Sequence, residues 1–272
     1  MDKKRLIVGG IAVCAVAAFF VLKTVSRTCP LLSCSRAPAG PVSAESAAAR
    51  DLESRNDLPG ARREYQRLIN EIPNSREVLL WQQKVEALNM ALLFSREMIP
   101  GSSEYVIKAG DSLEKIAREH KTTVELIKKS NELSGDNIFP GTRLKVWTTP
   151  FNIVVDKSQN ILLLKTNDTV FKSYTVATGV NNSTPVGTFT IIEKIPNPPW
   201  YKPGAVIPAG SPENILGTRW LGLSKQGYGI HGTTDPKSLG TQATAGCIRM
   251  ANRDVEELYS VIPVGVEVAI VD

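Results

Sequence analysis

Ile153-Val154-Val155-Asp156, Ile161-Leu162-Leu163-Leu164-Lys165, Phe171-Lys172-Ser173-Tyr174-Thr175-Val176 and Thr188-Phe189-Thr190-Ile191-Ile192 are short apolar or alternating runs, separated by Gly, Asn, Asp and Pro. With Val266-Glu267-Val268-Ala269-Ile270 they predict a mainly-β unit over residues 151–272, a sandwich or a barrel. Only Asn252 to Ser260 reads as a helix there. Ile195 to Glu213 gathers Pro196, Pro198, Pro199, Pro203, Pro208 and Pro212 around Trp200 and Tyr201. Proline cannot donate to a ladder, so this stretch is not a central strand. It reads as a stiff substrate-facing flap or as a cover for a sheet edge.

Two segments of the β unit carry chemistry, Gly229-Ile230-His231-Gly232-Thr233-Thr234 and Thr244-Ala245-Gly246-Cys247-Ile248-Arg249-Met250. A cysteine thiol is largely protonated at neutral pH, and an imidazole activates it by taking its proton or by forming an ion pair. Gly232 and Gly246 let the backbone pass close to a substrate carbonyl, and amides around Gly246-Cys247 offer an oxyanion hole. Trp220 and Tyr228 are aromatic candidates for the cleft wall or for core packing.

These residues resemble the YkuD-type L,D-transpeptidase signature, a His-Gly segment followed by [Ser/Thr]-x-Gly-Cys-[Ile/Val]-Arg-Met. Thr184-Pro185-Val186-Gly187-Thr188-Phe189 and Gly217-Thr218-Arg219-Trp220 match that family as well. The resemblance implies a bacterial acyltransferase of peptidoglycan stems. In it Cys247 is the nucleophile, His231 the base and later the acid, and the Gly232 carbonyl the group that orients the imidazole. Arg249 organises the site or meets a substrate carboxylate, and Thr244 fills the Ser/Thr position as one of the oxyanion and substrate residues. Ala245 stands where many members have a second histidine. Cys247 attacks the carbonyl between a diamino acid and terminal D-Ala, and a second stem's amine resolves the thioester into a crosslink. Water as acceptor makes a carboxypeptidase instead, and a non-catalytic peptidoglycan-binding scaffold is the reading from a different class. The resemblance also implies that a carbapenem acylates Cys247.

Upstream, Glu104-Tyr105-Val106-Ile107-Lys108 alternates like a strand, Leu113, Ile116 and Ala117 mark one helix and Val124, Leu126 and Ile127 a second, and Thr142 to Trp147 reads as a closing strand. This βααβ unit over residues 104–148 resembles a LysM domain, through Tyr105-x-Ile107-x-x-Gly110-Asp111-Ser112-Leu113-x-x-Ile116-Ala117, Asn131 and Ile138-x-Pro140-Gly141-x-x-Leu144-x-Val146. Glu114-Lys115 depart from the pattern. The resemblance implies binding of N-acetylglucosamine polymers by two loops, here Gly110, Asp111 and Ser112 with Asn137, Ile138 and Phe139. His120 reads as a dipole partner at its helix's end.

Residues 44–99 predict a helical, tetratricopeptide-like spacer. Its helices run from Ala44 to Asn56 and from Ala61 to Ile72, with a third after an Asn74/Glu77 capping box. One hairpin is no array, so the spacer packs on itself or dimerises. Residues 29–43 read as a Pro/Gly/Ala tether. Lys3-Lys4-Arg5 precede an uncharged run from Leu6 to Leu22, closed by Lys23 and Arg27. Seventeen residues at ~1.5 Å each span about 25 Å, which predicts a short transmembrane anchor in residues 1–28 with the chain's remainder outside the cytoplasm. Signal-peptide cleavage and a faint lipoprotein box at Leu31–Cys34 are the rival readings. Cys29 and Cys34 are candidates for pairing, locally or between chains.

The net charge of +5 does not point to nucleic acid, because residues 1–28 carry five basic side chains against one acid and the later segments are balanced. With two histidines and four cysteines at no paired spacing, and no HExxH, GxxxxGK[ST] or GxGxxG, the sequence implies neither a metal nor a cofactor.

Overall fold

The computed structural model describes residues 44–272. The expected membrane helix, the tether, Cys14, Cys29 and Cys34 lie outside the described residues. Among the described residues no helix is long and apolar enough to cross a membrane.

A 3-10 turn at Ala44–Ser46 leads into α1 (Ala47–Ser54), α2 (Leu58–Glu71) and α3 (Val78–Leu93). Their facing sides bury Ala49, Ala61, Tyr65, Leu68, Trp81, Val85 and Leu88, so the spacer packs on itself. Two boundaries differ from expectation. Leu58-Pro59-Gly60 begins α2 instead of forming a turn, because Asp57 Oδ1 accepts from the Gly60 N–H and proline is tolerated in a helix's first turn. The Asn74/Glu77 box does not form. α3 starts later, and the Glu77 carboxylate accepts instead from Trp81 Nε1–H at 3.2 Å.

The second unit is β1 (Ser102–Val106), α4 (Leu113–Glu119), α5 (Val124–Ser130) and β2 (Arg143–Trp147), with β1 and β2 antiparallel. Its core is Ile107, Leu113, Ile116, Ala117, Ile127, Leu144 and Val146. Thr123 caps α5 through the Leu126 N–H, and His120 closes α4 with its ring edge-on to Tyr105.

The last unit holds β3 (Phe151–Asp156), β4 (Ile161–Thr166), β5 (Thr169–Gly179), β6 (Gly187–Pro196), β7 (Trp200–Lys202), β8 (Ala205–Ile207), β9 (Arg219–Leu223), β10 (Gly229–His231), β11 (Gln242–Thr244), β12 (Ile248–Met250), α6 (Asn252–Val261) and β13 (Glu267–Val271). Nine strands run in the order β11-β5-β12-β10-β9-β6-β13-β3-β4, and pairing of β4 with β5 closes the sheet into a barrel on which β11 is an appendage. Closure removes the exposed edges that a sandwich would have kept. Inward positions such as Ile153, Val155, Leu162, Leu164, Val176, Ile191, Leu221, Ile230 and Ile248 form the core. Ile195 and Pro196 still belong to β6, at its end, and only then does the proline-rich loop leave the barrel to fold as the β7–β8 hairpin.

That core does not stop at the barrel. Met90 and Leu93 of α3, Leu126 of α5 and Trp147 of β2 join it, with Trp147 stacked on Phe151 at 5.1 Å. Glu86 accepts from Ser173 N–H and Oγ–H, and Asn89 donates to the Phe171 carbonyl at 2.8 Å. Buried Lys145 of β2 donates to the carbonyls of Leu92 and Ser95 at 2.7 and 2.8 Å, filling the open end of α3. Burial pulls its pKa down to about 8, against an opposing pull from Glu97.

Candidate active site

The barrel's strand register gathers the sequence-predicted residues. In the parallel pair β10–β12, Ile230 lies beside Ile248 and His231 beside Arg249. Alternation sends Ile230, Ile248 and Met250 into the core and puts His231, Arg249 and Cys247 on the opposite face. Cys247 lies one residue before β12, two positions from the residue paired with His231. Both line one cleft of about 800 Å³ together with Trp220, Thr244, Ala245 and Arg249.

His231 is buried, and its Nδ1 lies 2.7 Å from the Gly232 carbonyl. A carbonyl only accepts, so Nδ1 carries the proton and Nε2 keeps its lone pair. Burial drives the imidazole pKa down to about 4; the Gly232 carbonyl opposes that shift and the Arg249 charge adds to it. Cys247 is a half-buried free thiol whose pKa burial pushes up, with the Gly229 N–H and Arg249 pulling it the other way. At rest its Sγ points to the Gly227 carbonyl at 3.6 Å. The pair is therefore neutral thiol and neutral imidazole, not thiolate and imidazolium. A neutral thiol and a neutral imidazole are chemically suited to general-base catalysis, in which the proton leaves as sulfur attacks.

Hydroxyls hold the cysteine loop from both sides. Thr244 Oγ1 donates to the Cys247 carbonyl at 2.7 Å and accepts from the Gly246 N–H at 3.1 Å. Thr184 Oγ1 donates to the Gly246 carbonyl at 2.9 Å and accepts from the Gly179 N–H at 2.7 Å. These bonds correct two expectations. The Gly246 amide is committed to Thr244 and is not an open oxyanion donor, and the Thr244 hydroxyl braces the loop. Gly246 is required for conformation, since its φ is +135° and a Cβ there would sit 2.8 Å from Tyr228 Cε1. Tyr228 stands behind this glycine, packed on the barrel core, and is not among the residues that line the cleft.

Trp220 does line it, with its indole stacked on the His231 ring at 6.0 Å and 21°. Arg249 Nη1 donates to Ser238 Oγ at 2.9 Å, while its buried Nε has no partner among the described residues. Three contributors escaped the sequence reading. Asn252 Oδ1 accepts from the Thr233 and Thr218 N–H groups at 2.9 and 3.3 Å and so pins the segment after His231. Glu193 reaches the cleft and accepts from Trp220 Nε1–H at 2.9 Å. Asn214, 2% exposed, donates to the Pro198 and Pro208 carbonyls and closes the base of the proline-rich loop. From that loop Pro198, Pro199, Trp200 and Tyr201 face the cleft, as a flap requires. No group of three or more His, Cys, Asp or Glu suited to a metal occurs among the described residues.

In the βααβ unit, Ile107 bonds to Thr142 and Gly141 and brings the two expected glycan loops side by side. Gly110, Asn137 and Phe139 are exposed there, Phe139 at 71%, and Ile138 is half-buried against the unit's core. Asp111 departs from expectation. Its carboxylate accepts from the Lys108 N–H, the Tyr105 hydroxyl and the Lys115 ammonium, which hold its pKa down to about 2. It is a strut of the loop rather than a free sugar ligand. Ser112 Oγ caps α4 by accepting from the Lys115 N–H, which leaves its own proton to donate.

Comparison with known proteins agrees with both units. Residues 105–147 match the model of the LysM domain and residues 150–270 that of the YkuD L,D-transpeptidase catalytic domain. The YkuD protein of Bacillus licheniformis is 38% identical over 174 residues, 61% of this chain and 97% of that protein. YkuD of Bacillus subtilis is 36% identical over 173 residues, with the same two shares. YqjB of Bacillus subtilis is 40% identical over 144 residues, 51% of this chain and 76% of its own length. All three carry L,D-transpeptidase in their descriptions. With relatives this similar matched almost end to end, the chain belongs to the YkuD family of L,D-transpeptidases.

Proposed function

We propose that Cys247 is the nucleophile of a peptidoglycan crosslinking reaction and His231 its general base. The observation that carries this reading is the tautomer fixed by the Gly232 carbonyl, which leaves an unprotonated Nε2 on the same face and in the same cleft as the thiol. Cys247 Sγ attacks the carbonyl between a stem's diamino acid and its terminal D-Ala while His231 takes the thiol proton. The C–S bond forms, the C–N bond breaks, and His231 returns the proton to the departing D-Ala amine. The Cys247 N–H is the oxyanion donor, since the Gly246 amide is already engaged. Arg249 meets a substrate carboxylate, and the proline-rich hairpin covers the bound stem. The LysM loops at Gly110, Ser112, Asn137, Ile138 and Phe139 hold the glycan strand. The site of action is the bacterial cell envelope, with the apolar run Leu6 to Leu22 as the membrane anchor.

Incubation with purified muropeptides tests the reaction. Wild type should release D-Ala and yield dimers, and Cys247→Ala should do neither. Dimers from Cys247→Ala would end the assignment, and shortened monomers alone from wild type would make the enzyme a hydrolase. Intact-mass spectrometry after carbapenem treatment should show an adduct on wild type and none on Cys247→Ala.

A further inference from the structure

The cleft carries opposite charges across its strands. Arg249 on β12 stands beside His231, while Glu193 lies on β6, two strands to the other side of the histidine. Its position is built. Glu193 pairs with Gly222 on β9, where a Cβ would come 2.6 Å from Glu193 Cγ, so only glycine lets the side chain lie across that strand. There it meets the Trp220 indole N–H, and the same indole stacks on the His231 ring. Trp220 engages Oε1 alone. Glu193 is exposed to the cleft, and its carboxylate forms no ion pair among the described residues.

An aminoacyl thioester is resolved by a second nucleophile that enters after D-Ala has left. A primary alkyl amine travels as an ammonium at neutral pH, whereas water is uncharged. A carboxylate anchored at the edge of an indole suits an ammonium and offers nothing special to a neutral nucleophile. We propose that Glu193 is the acceptor-recognition residue, binding the ammonium of the incoming amine and favouring crosslinking over hydrolysis. This rests on the cysteine acyl-transfer reading above. The bound ammonium gives one proton to water, and its lone pair attacks the thioester carbon. The C–N bond forms, the C–S bond breaks, and the second proton passes through His231 to the Cys247 sulfur. Glu193 is unchanged at the end.

Glu193→Gln removes the charge and keeps an oxygen for the Trp220 N–H. Wild type and variant are charged with a tetrapeptide stem, and an amine-bearing stem then competes with hydroxylamine, which is uncharged at neutral pH. D-Ala release is followed separately. The variant's KM for the amine acceptor should rise roughly fivefold, and its ratio of dimer to hydroxamate should fall by the same factor, the size expected for an exposed charge pair. An unchanged ratio overturns the assignment. Equal loss of both products also overturns it, by placing Glu193 on the donor side. Absence of D-Ala release from wild type is a different failure, which takes down the acyl-transfer reading itself.

Discussion

His231 carries a pH signature that can be measured without substrate. Its folded pKa, about 4, lies below the value of about 6.5 for an unfolded histidine. Between those values the unfolded chain binds a proton that the native protein refuses, so stability falls as pH drops from about 6.5 to 4. Above 6.5 the contribution is complete, and the full drop is on the order of 3 kcal/mol. Urea denaturation across that window should show it, and His231→Gln should flatten the curve. Thr184 is the second residue to test. Thr184→Val keeps the shape but leaves the Gly179 N–H and Gly246 carbonyl without their partner, at a cost of about 2–3 kcal/mol. Carbapenem acylation of Cys247 should slow with it; unaltered stability would show that the loop is held by something else. That Cys247 and His231 share a cleft was foreseeable because each sits in a short, dense motif. The contributions of Glu193, Asn252 and Asp111 were not. Their roles depend on strand register and on partners that a linear pattern does not reveal, and in Asp111 an apparent ligand is a satisfied internal group.

Under the proposed function, the β7–β8 hairpin is the element that covers the bound stem. Asn214 bonds both ends of its base, to Pro198 and Pro208, and the prolines between stiffen what it holds. Asn214→Ala should loosen the flap while the barrel stays folded, raising the donor KM several-fold, on the order of one lost hydrogen bond. A donor KM equal to wild type would mean that the hairpin is only a cover. Element identity was readable from periodicity: alternating runs became barrel strands and the Ala-rich stretch became helices. Boundaries failed where one residue type serves two purposes. Pro59 suits both a turn and a helix's first turn, and Asp57 decided between them. Barrel rather than sandwich was settled by the β4–β5 pairing, a contact between whole strands that no local pattern encodes.

Across the described molecule, the modules that the sequence separates by composition share one interior. Met90, Leu93, Leu126 and Trp147 come from helices and the LysM unit yet belong to the same buried cluster as the barrel's inward side chains. Calorimetry should therefore record one cooperative transition for residues 44–272 instead of three, since each part would expose apolar surface alone. Lys145→Met should lower stability by about 2–3 kcal/mol, because it strips α3 of its bonded end while burying a similar volume. Two well-separated transitions in wild type would refute the shared core. The interior that Leu126 and Trp147 share with the barrel also bears on geometry at the wall. Under the function proposed above, a sugar-binding head that shares its interior with the catalytic barrel presents the Cys247 sulfur at a constant offset from the polysaccharide it holds. On that proposal the enzyme acts like a gauge, and the spacing of new bridges along a strand should reflect the dimensions of the protein that made them.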